Sequence, residues 1–228
     1  MCRDSRPDLS SPCLGPIDGP LPKLGYMTER FDTYRAHPWH GLNPGENAPD
    51  VVDAYIEITP FDAVKYEIDK ATGYLRVDRP QGSSALPPTL YGFIPQTYCG
   101  PLTAALTPHA ERGDLDPLDI CVLSQQRIER AEILTPARVV GGIQLLDDGE
   151  ADDKIVALLA SDPVFHYAKE LKQLPVTVVN RIVHYFATYK IDISGEKPNA
   201  IEVVGTYGAS HAKAVVEASM QDYIDTYG

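Results

Sequence analysis

Basic side chains and cysteine are scarce in this sequence, and no long apolar run occurs. Lys and Arg number 20 against 32 Asp and Glu, a formal net charge of −12. That balance argues against a general binder of nucleic acid or of an acidic membrane, because phosphate backbones recruit basic surfaces. The four cysteines, Cys2, Cys13, Cys99 and Cys121, form no CxxC pair, so no disulfide framework is expected. No run of 18 apolar residues is present, so no transmembrane helix is expected. The first 25 residues lack the apolar stretch of a secretory signal, and a reducing cytoplasm is the expected setting. Walker A and GxGxxG patterns are missing. Gly205-Thr206-Tyr207-Gly208 is a lone GxxG without basic flanks, which does not make an RNA-binding loop.

What is present is a globular composition: 228 residues, 43% hydrophobic and 23% charged. That fits one domain plus a tail. Residues 1–50 hold 8 of the 20 prolines and 5 of the 17 glycines, too many for a helix or a strand ladder. The reading is a disordered tail over 1–25, an extended arm over 26–50, and a single domain over 51–228. In the arm, His37-Pro38-Trp39-His40 reads as a packing motif, since Pro38 breaks a helix and no carboxylate accompanies the histidines.

From residue 51 the pattern is that of short strands. Ala54, Ile56 and Ile58 share one face of a strand, and Tyr55 and Glu57 share the other. Lys65–Ile68 and Tyr74–Asp78 alternate around a turn at 69–73, and apolar runs recur at Leu90–Ile94, Asp119–Leu123 and Ala137–Leu146. Strands this short and frequent predict a small barrel rather than a parallel sheet. Towards the end, Val176, Val179, Val183 and Phe186 form one helical stripe, with Pro175 at its start. Ala212, Val215, Val216, Met220, Tyr223 and Ile224 form a second. The predicted class is mainly β with flanking helices (α+β).

Two acidic clusters carry the chemistry. The first, Asp114-Leu115-Asp116-Pro117-Leu118-Asp119, has three carboxylates in six positions; the second runs from Asp147 to Lys154. Hard divalent cations such as Mg²⁺ select carboxylate oxygens. An EF-hand is excluded, because Pro117 and Leu118 interrupt the loop and Gln125 stands where its closing Glu belongs. Lys65, Glu67, Arg79 and Glu57 lie on early strands. If their face receives the acidic loops, cations and carboxylates share one cavity suited to metals and a polyanion.

Glu57, Lys65-Tyr66-Glu67, Val77-Asp78-Arg79, Tyr91-Gly92-Phe93, the Asp114–Asp119 loop, Asp147 with Asp152-Asp153-Lys154, and Tyr189-Lys190 occur in that order. This set resembles the soluble family I inorganic pyrophosphatases, from about Ala54 to Lys190, and its Asp-x-Asp-Pro-x-Asp core is highly specific. The resemblance implies a five-stranded OB-fold-like closed barrel with two or three peripheral helices. It implies Mg²⁺-dependent hydrolysis of inorganic diphosphate to two orthophosphates by water activated between cations. Asp114, Asp119 and Asp152 would hold the tightest Mg²⁺, with Asp147, Asp152 and Glu67 holding ions that arrive with substrate. Lys65, Arg79, Tyr91, Lys154, Tyr189 and Lys190 would bind the phosphoryl groups, and Asp116 would accept the proton. Glu57 would be a further polar residue of the site. A homo-oligomer is implied, a hexamer over a dimer, with no nucleic acid or membrane partner. Rival readings are a non-catalytic OB-type binding module and a calcium-binding structural domain. The chain departs from the family pattern at Pro87, where many relatives carry a tyrosine, at Asp148, and over Cys99–Arg112, an insertion expected to be a surface or subunit-contact loop.

Overall fold

The computed structural model describes residues 35–192, 194, 196 and 198–228; the tail expected over 1–25 and residues 26–34 of the expected arm lie outside them. One compact unit runs from Ala36 to Gly228. Its strands are β1 (Val51–Ile58), β2 (Val64–Ile68), β3 (Leu75–Pro80), β4 (Leu90–Phe93), β5 (Arg112–Gly113), β6 (Asp119–Leu123), β7 (Ile133–Asp147), β8 (Glu150–Ala151), β9 (Lys154–Leu159) and β10 (Ile201–Gly208). Its helices are α1 (Pro101–Ala104), α2 (Val176–Thr188) and α3 (Ala209–Tyr227).

Five strands close on themselves in the order β1-β4-β6-β9-β7, with β7 returning to pair with β1. The ladders are antiparallel except β6–β9, which is parallel. β10 extends β7, and β2–β3 form a separate two-stranded hairpin. The five-stranded closed barrel with peripheral helices expected from the resemblance is the fold observed.

The period-two alternation of each strand decides what lies inside. Ala54 and Ile56 of β1, Leu90 of β4, Ile120 and Val122 of β6, Ala137 and Val139 of β7, and Ile155 and Ala157 of β9 belong to one buried cluster. Because all five strands contribute, this is the barrel interior. Ala212, Val215 and Val216 of α3 join it. The alternate residues, Cys121 and Leu123 of β6 with Val156 and Leu158 of β9, pack against Ile182, Tyr185 and Phe186 of α2. So α2 covers the outer face of β6 and β9, and that face carries the site.

One expectation needs correction. Residues 38–50 are a succession of turns instead of an extended arm. The His37 ring Nδ1 accepts the Trp39 and His40 amides at 3.2 and 3.3 Å, and the Trp39 indole donates to the Thr97 carbonyl at 2.8 Å. Trp39 is buried with Tyr55, Ile68 and Phe93, so side-chain acceptors and an aromatic anchor turn the chain where Pro density alone reads as extended. The 99–112 insertion, expected as a surface or subunit-contact loop, exposes Pro101, Leu102, Pro108, His109, Glu111 and Arg112 but is anchored on its inner side. Cys99, Thr103, Ala104 and Thr107 are buried, and the segment is hydrogen-bonded to α3.

Candidate active site

The stripe of β6 and β9 that packs apolar residues under α2 becomes charged at its leading end. Asp119 opens β6 and pairs in register with Lys154, which opens β9. Since side chains two apart share a face, Asp119 continues the line of Cys121 and Leu123, and Lys154 that of Val156 and Leu158. Tyr91, paired with Cys121, adds the β4 contribution. Tyr189, Lys190 and Phe186 arrive from the C-terminal end of α2.

These elements enclose a cavity of about 250 Å³ lined by Lys65, Arg79, Tyr91, Asp114, Asp116, Asp119, Asp147, Asp152, Lys154, Tyr189 and Lys190, with Ile58, Glu150, Tyr185 and Phe186. All of the residues expected in the site except Glu57 and Glu67 therefore meet there. Those two line an adjoining cavity of about 150 Å³ that shares Lys65, Tyr91, Asp116 and Asp119 with the first. Glu67 is ion-paired with Lys65 at 3.1 Å and Arg76 at 3.3 Å. The Glu57 carboxylate accepts the Ile68 amide at 2.7 Å, tying the β2–β3 hairpin to β1.

Lys154 is the centre of the electrostatics. Its side chain is 2% exposed and its ammonium donates to both Asp119 and Asp152. Burial opposes its charge, but the Asp119 and Asp152 carboxylates outweigh that and hold its pKa well above the ordinary lysine value. The Tyr91 hydroxyl donates to Asp119 Oδ2 at 2.6 Å. Burial, and then the Asp119 charge, raises the Tyr91 phenol, so it stays a donor. Asp114 sits close to Asp152, and burial followed by the Asp152 charge pushes its carboxyl up to about 9. Asp152 is raised as well, by burial. At the mouth, Lys190 pairs with Asp147 and Lys65 with Asp78 at 2.9 Å. Asp116 takes an ion pair from Lys70, and its amide donates to Asp114 Oδ1 at 3.0 Å.

Six carboxylates therefore face four cationic side chains in one cavity. Two of those carboxyls, the half-buried Asp114 and the buried Asp152, lie close enough for a like-charge repulsion that a cation would relieve. Oxygen donors of this kind fit a hard divalent ion such as Mg²⁺. Among the described residues, no three acidic, His or Cys side chains form a closed ligand set.

A profile of the inorganic pyrophosphatase family matches residues 54–224, well over half of the chain. The chain belongs to that family. It is 45% identical over 210 residues to the inorganic pyrophosphatase of Chlamydia caviae, covering 88% of this chain and 97% of the relative. The inorganic pyrophosphatase of Chlamydia trachomatis is 44% identical over 200 residues, with 84% and 96% covered. Among solved structures, the inorganic pyrophosphatase from Thermus thermophilus superposes with a TM-score of 0.71 at 30% identity, covering 83% of this chain and 99% of that one.

Sequence reasoning missed Tyr185, Phe186, Glu150 and Lys70. Tyr185 precedes Tyr189 by one helical turn, so the i, i+4 spacing pointed to it. Glu150 lines the cavity, and Asp148, outside that lining, occupies a turn position with φ 50°. Pro87 is buried outside both cavities, and its carbonyl accepts the Phe61 amide. The described cysteines, Cys99 and Cys121, are free and buried, and no helix is long and apolar enough to cross a membrane among the described residues.

Proposed function

We propose that this cavity hydrolyses inorganic diphosphate to two orthophosphates with Mg²⁺ as cofactor. The observation that carries the reading is the meeting of six carboxylates and four cations in one cavity small enough for a diphosphate. Asp114, Asp119, Asp152 and Asp147 would hold the cations, with Glu67 at the adjoining cavity. Bound Mg²⁺ supplies charge neutralisation at the phosphoryl groups and a lowered pKa for water.

The chain's own residues do the rest. Lys65, Arg79 and Lys190 bind phosphoryl oxygens from the mouth, and Lys154 with Tyr91 and Tyr189 binds them from the floor. Ion pairs with Asp78 and Asp147 hold Lys65 and Lys190 in place before substrate arrives. The Phe186 ring and Ile58 close the apolar wall and limit access of bulk water. Asp116 accepts the proton as a water oxygen bonds to one phosphorus and the bridging P–O bond breaks, which frees the second phosphoryl group as orthophosphate. No Ser or Cys nucleophile is needed, and Cys121 is unsuited to the role because burial pushes its thiol up to about 12.

The chain works as a cytoplasmic homo-oligomer in this reading, a hexamer over a dimer, which sedimentation of the full chain tests. Release of orthophosphate from diphosphate, with Mg²⁺, with Ca²⁺ alone and with chelator, tests the activity. The proposal requires release with Mg²⁺ and none with chelator. An OB-type binding module or a calcium-binding structural domain leaves diphosphate intact in all three.

A further inference from the structure

Asp222 lies near the end of α3 and lines neither cavity of the site, yet it is 3% exposed. A buried carboxylate must have its oxygens satisfied, and the 99–112 insertion satisfies them. Asp222 Oδ2 accepts the Gly100 amide at 3.1 Å, the Thr103 amide at 2.8 Å and the Thr103 hydroxyl at 2.8 Å. Oδ1 accepts the Leu102 amide at 3.0 Å. The fit leaves no slack, because a Cβ on Gly100 would fall 2.9 Å from Asp222 Cγ. One turn earlier in α3, the Ser219 carbonyl accepts the Tyr98 amide at 2.9 Å. So one edge of the 98–103 segment is fastened to α3.

The other edge of the same segment is fastened to the acidic loop. The Cys99 amide donates to the Asp116 carbonyl at 2.8 Å, and the Cys99 carbonyl accepts the Leu115 amide at 3.1 Å. Leu115 is held at φ 65°, a conformation unfavourable for a residue with a Cβ and maintained only when its surroundings enforce it. The approach is close on this side too, since a Cβ on Gly113 would stand 2.0 Å from the Cys99 carbonyl oxygen.

We propose that Asp222 is a positioning residue for the reaction: through Gly100 and Thr103 it fixes Cys99, and Cys99 fixes the backbone of Leu115 and Asp116. The insertion is then a splint between the C-terminal helix and the loop that bears the proton acceptor. This deepens the proposed hydrolysis and rests on it for its kinetic consequence, but the mechanical link stands on the hydrogen bonds alone.

The test uses the full chain carrying Asp222→Asn, which keeps the shape and one acceptor oxygen, beside Thr103→Val, which removes only the hydroxyl donor. Amide exchange followed by NMR at Cys99 and Leu115 should quicken in both variants, more in Asp222→Asn, while amides of β6 and β9 keep their wild-type rates. Turnover per folded molecule should fall about 10–100-fold in Asp222→Asn with little change in KM, as for a reacting group displaced from alignment. Unchanged exchange at Cys99 and Leu115 would overturn the link. So would faster exchange across the whole barrel with a turnover loss equal to the unfolded fraction, because Asp222 would then serve stability only. A wild-type chain that leaves diphosphate intact refutes the reaction instead, and the exchange rates then decide the link by themselves.

Discussion

Lys154 donates to Asp119 Oδ2, and that same oxygen accepts the Tyr91 hydroxyl at 2.6 Å. Two donors from two different strands thus converge on one carboxylate oxygen, with the ammonium also reaching Asp152. Replacing Lys154 by Met keeps the bulk but leaves two carboxylates facing each other without their counter-charge. Breaking a buried pair in this way costs about 3–5 kcal/mol. Denaturant unfolding of Lys154→Met should show a loss of that order in chelator, partly restored by Mg²⁺, with turnover still lost. Wild-type stability in chelator would contradict the assignment.

Asp116 and Asp119 are three residues apart in one loop and are assigned different tasks. Asp119→Asn should weaken Mg²⁺ binding in calorimetric titration, lose most activity, and recover part of it at high Mg²⁺. Asp116→Asn should bind Mg²⁺ nearly as the wild type does. Its turnover should drop by roughly 10²–10⁴, the usual share of general-base catalysis, and excess Mg²⁺ should not restore it. If Mg²⁺ rescues both variants alike, Asp116 is a ligand and not the proton acceptor.

Glu57 gives the pH dependence of folding. Burial raises its carboxyl from 4.5 to about 8, against the opposing hydrogen bond from the Ile68 amide. Between those two values the unfolded chain has released the proton and the folded chain keeps it. Stability from this group is therefore fully present below pH 4.5 and declines as pH rises through the window, by at most about 1.4 kcal/mol per pH unit. Glu57→Gln cannot ionise and should lack that decline. Thermal unfolding from pH 5 to 8 should show the variant gaining on the wild type as pH rises. Parallel curves would show that Glu57 is already charged when folded.

Lys190→Ala should separate turnover from folding. The side chain is 31% exposed and its pair with Asp147 lies at the mouth of the cavity, so stability should change by less than about 1 kcal/mol. Loss of a charge-assisted contact to a phosphoryl oxygen should cost about 1.5–3 kcal/mol in kcat/KM. A collapse of thermal stability with normal kinetics in the surviving molecules would make the residue structural.

Much of this was legible because it is written in short-range periodicity. The alternation of Ala54 and Ile56 against Tyr55 and Glu57 marked β1 up to the register shift that turns Ile58 to the site cavity. Pro175 with the Val176-Val179-Val183-Phe186 stripe marked α2 but only part of its packed side, since Val176 is 68% exposed and the buried residues are Ile182, Tyr185 and Phe186. The acidic loop and the family resemblance together named eleven residues of the main cavity. Closure of β7 onto β1 was not locally written, since pairing across so many residues depends on the twist and stagger of the whole sheet. The turns at 38–50 were misread because proline limits the backbone without saying where Trp39 finds its pocket. Asp222 carries no local signal at all. An aspartate in a C-terminal helix reads as a solvated charge until the insertion is seen folded around it.

In the proposed reaction, water attacks diphosphate directly within this cavity, with no covalent phosphoenzyme. Its most direct test is acid-quenched single turnover of the full chain with Mg²⁺ and labelled diphosphate in ¹⁸O-enriched water. Direct attack yields two orthophosphates for each diphosphate, one solvent oxygen between them, and no label on the protein. Intact diphosphate, or phosphate recovered on the chain, would contradict it.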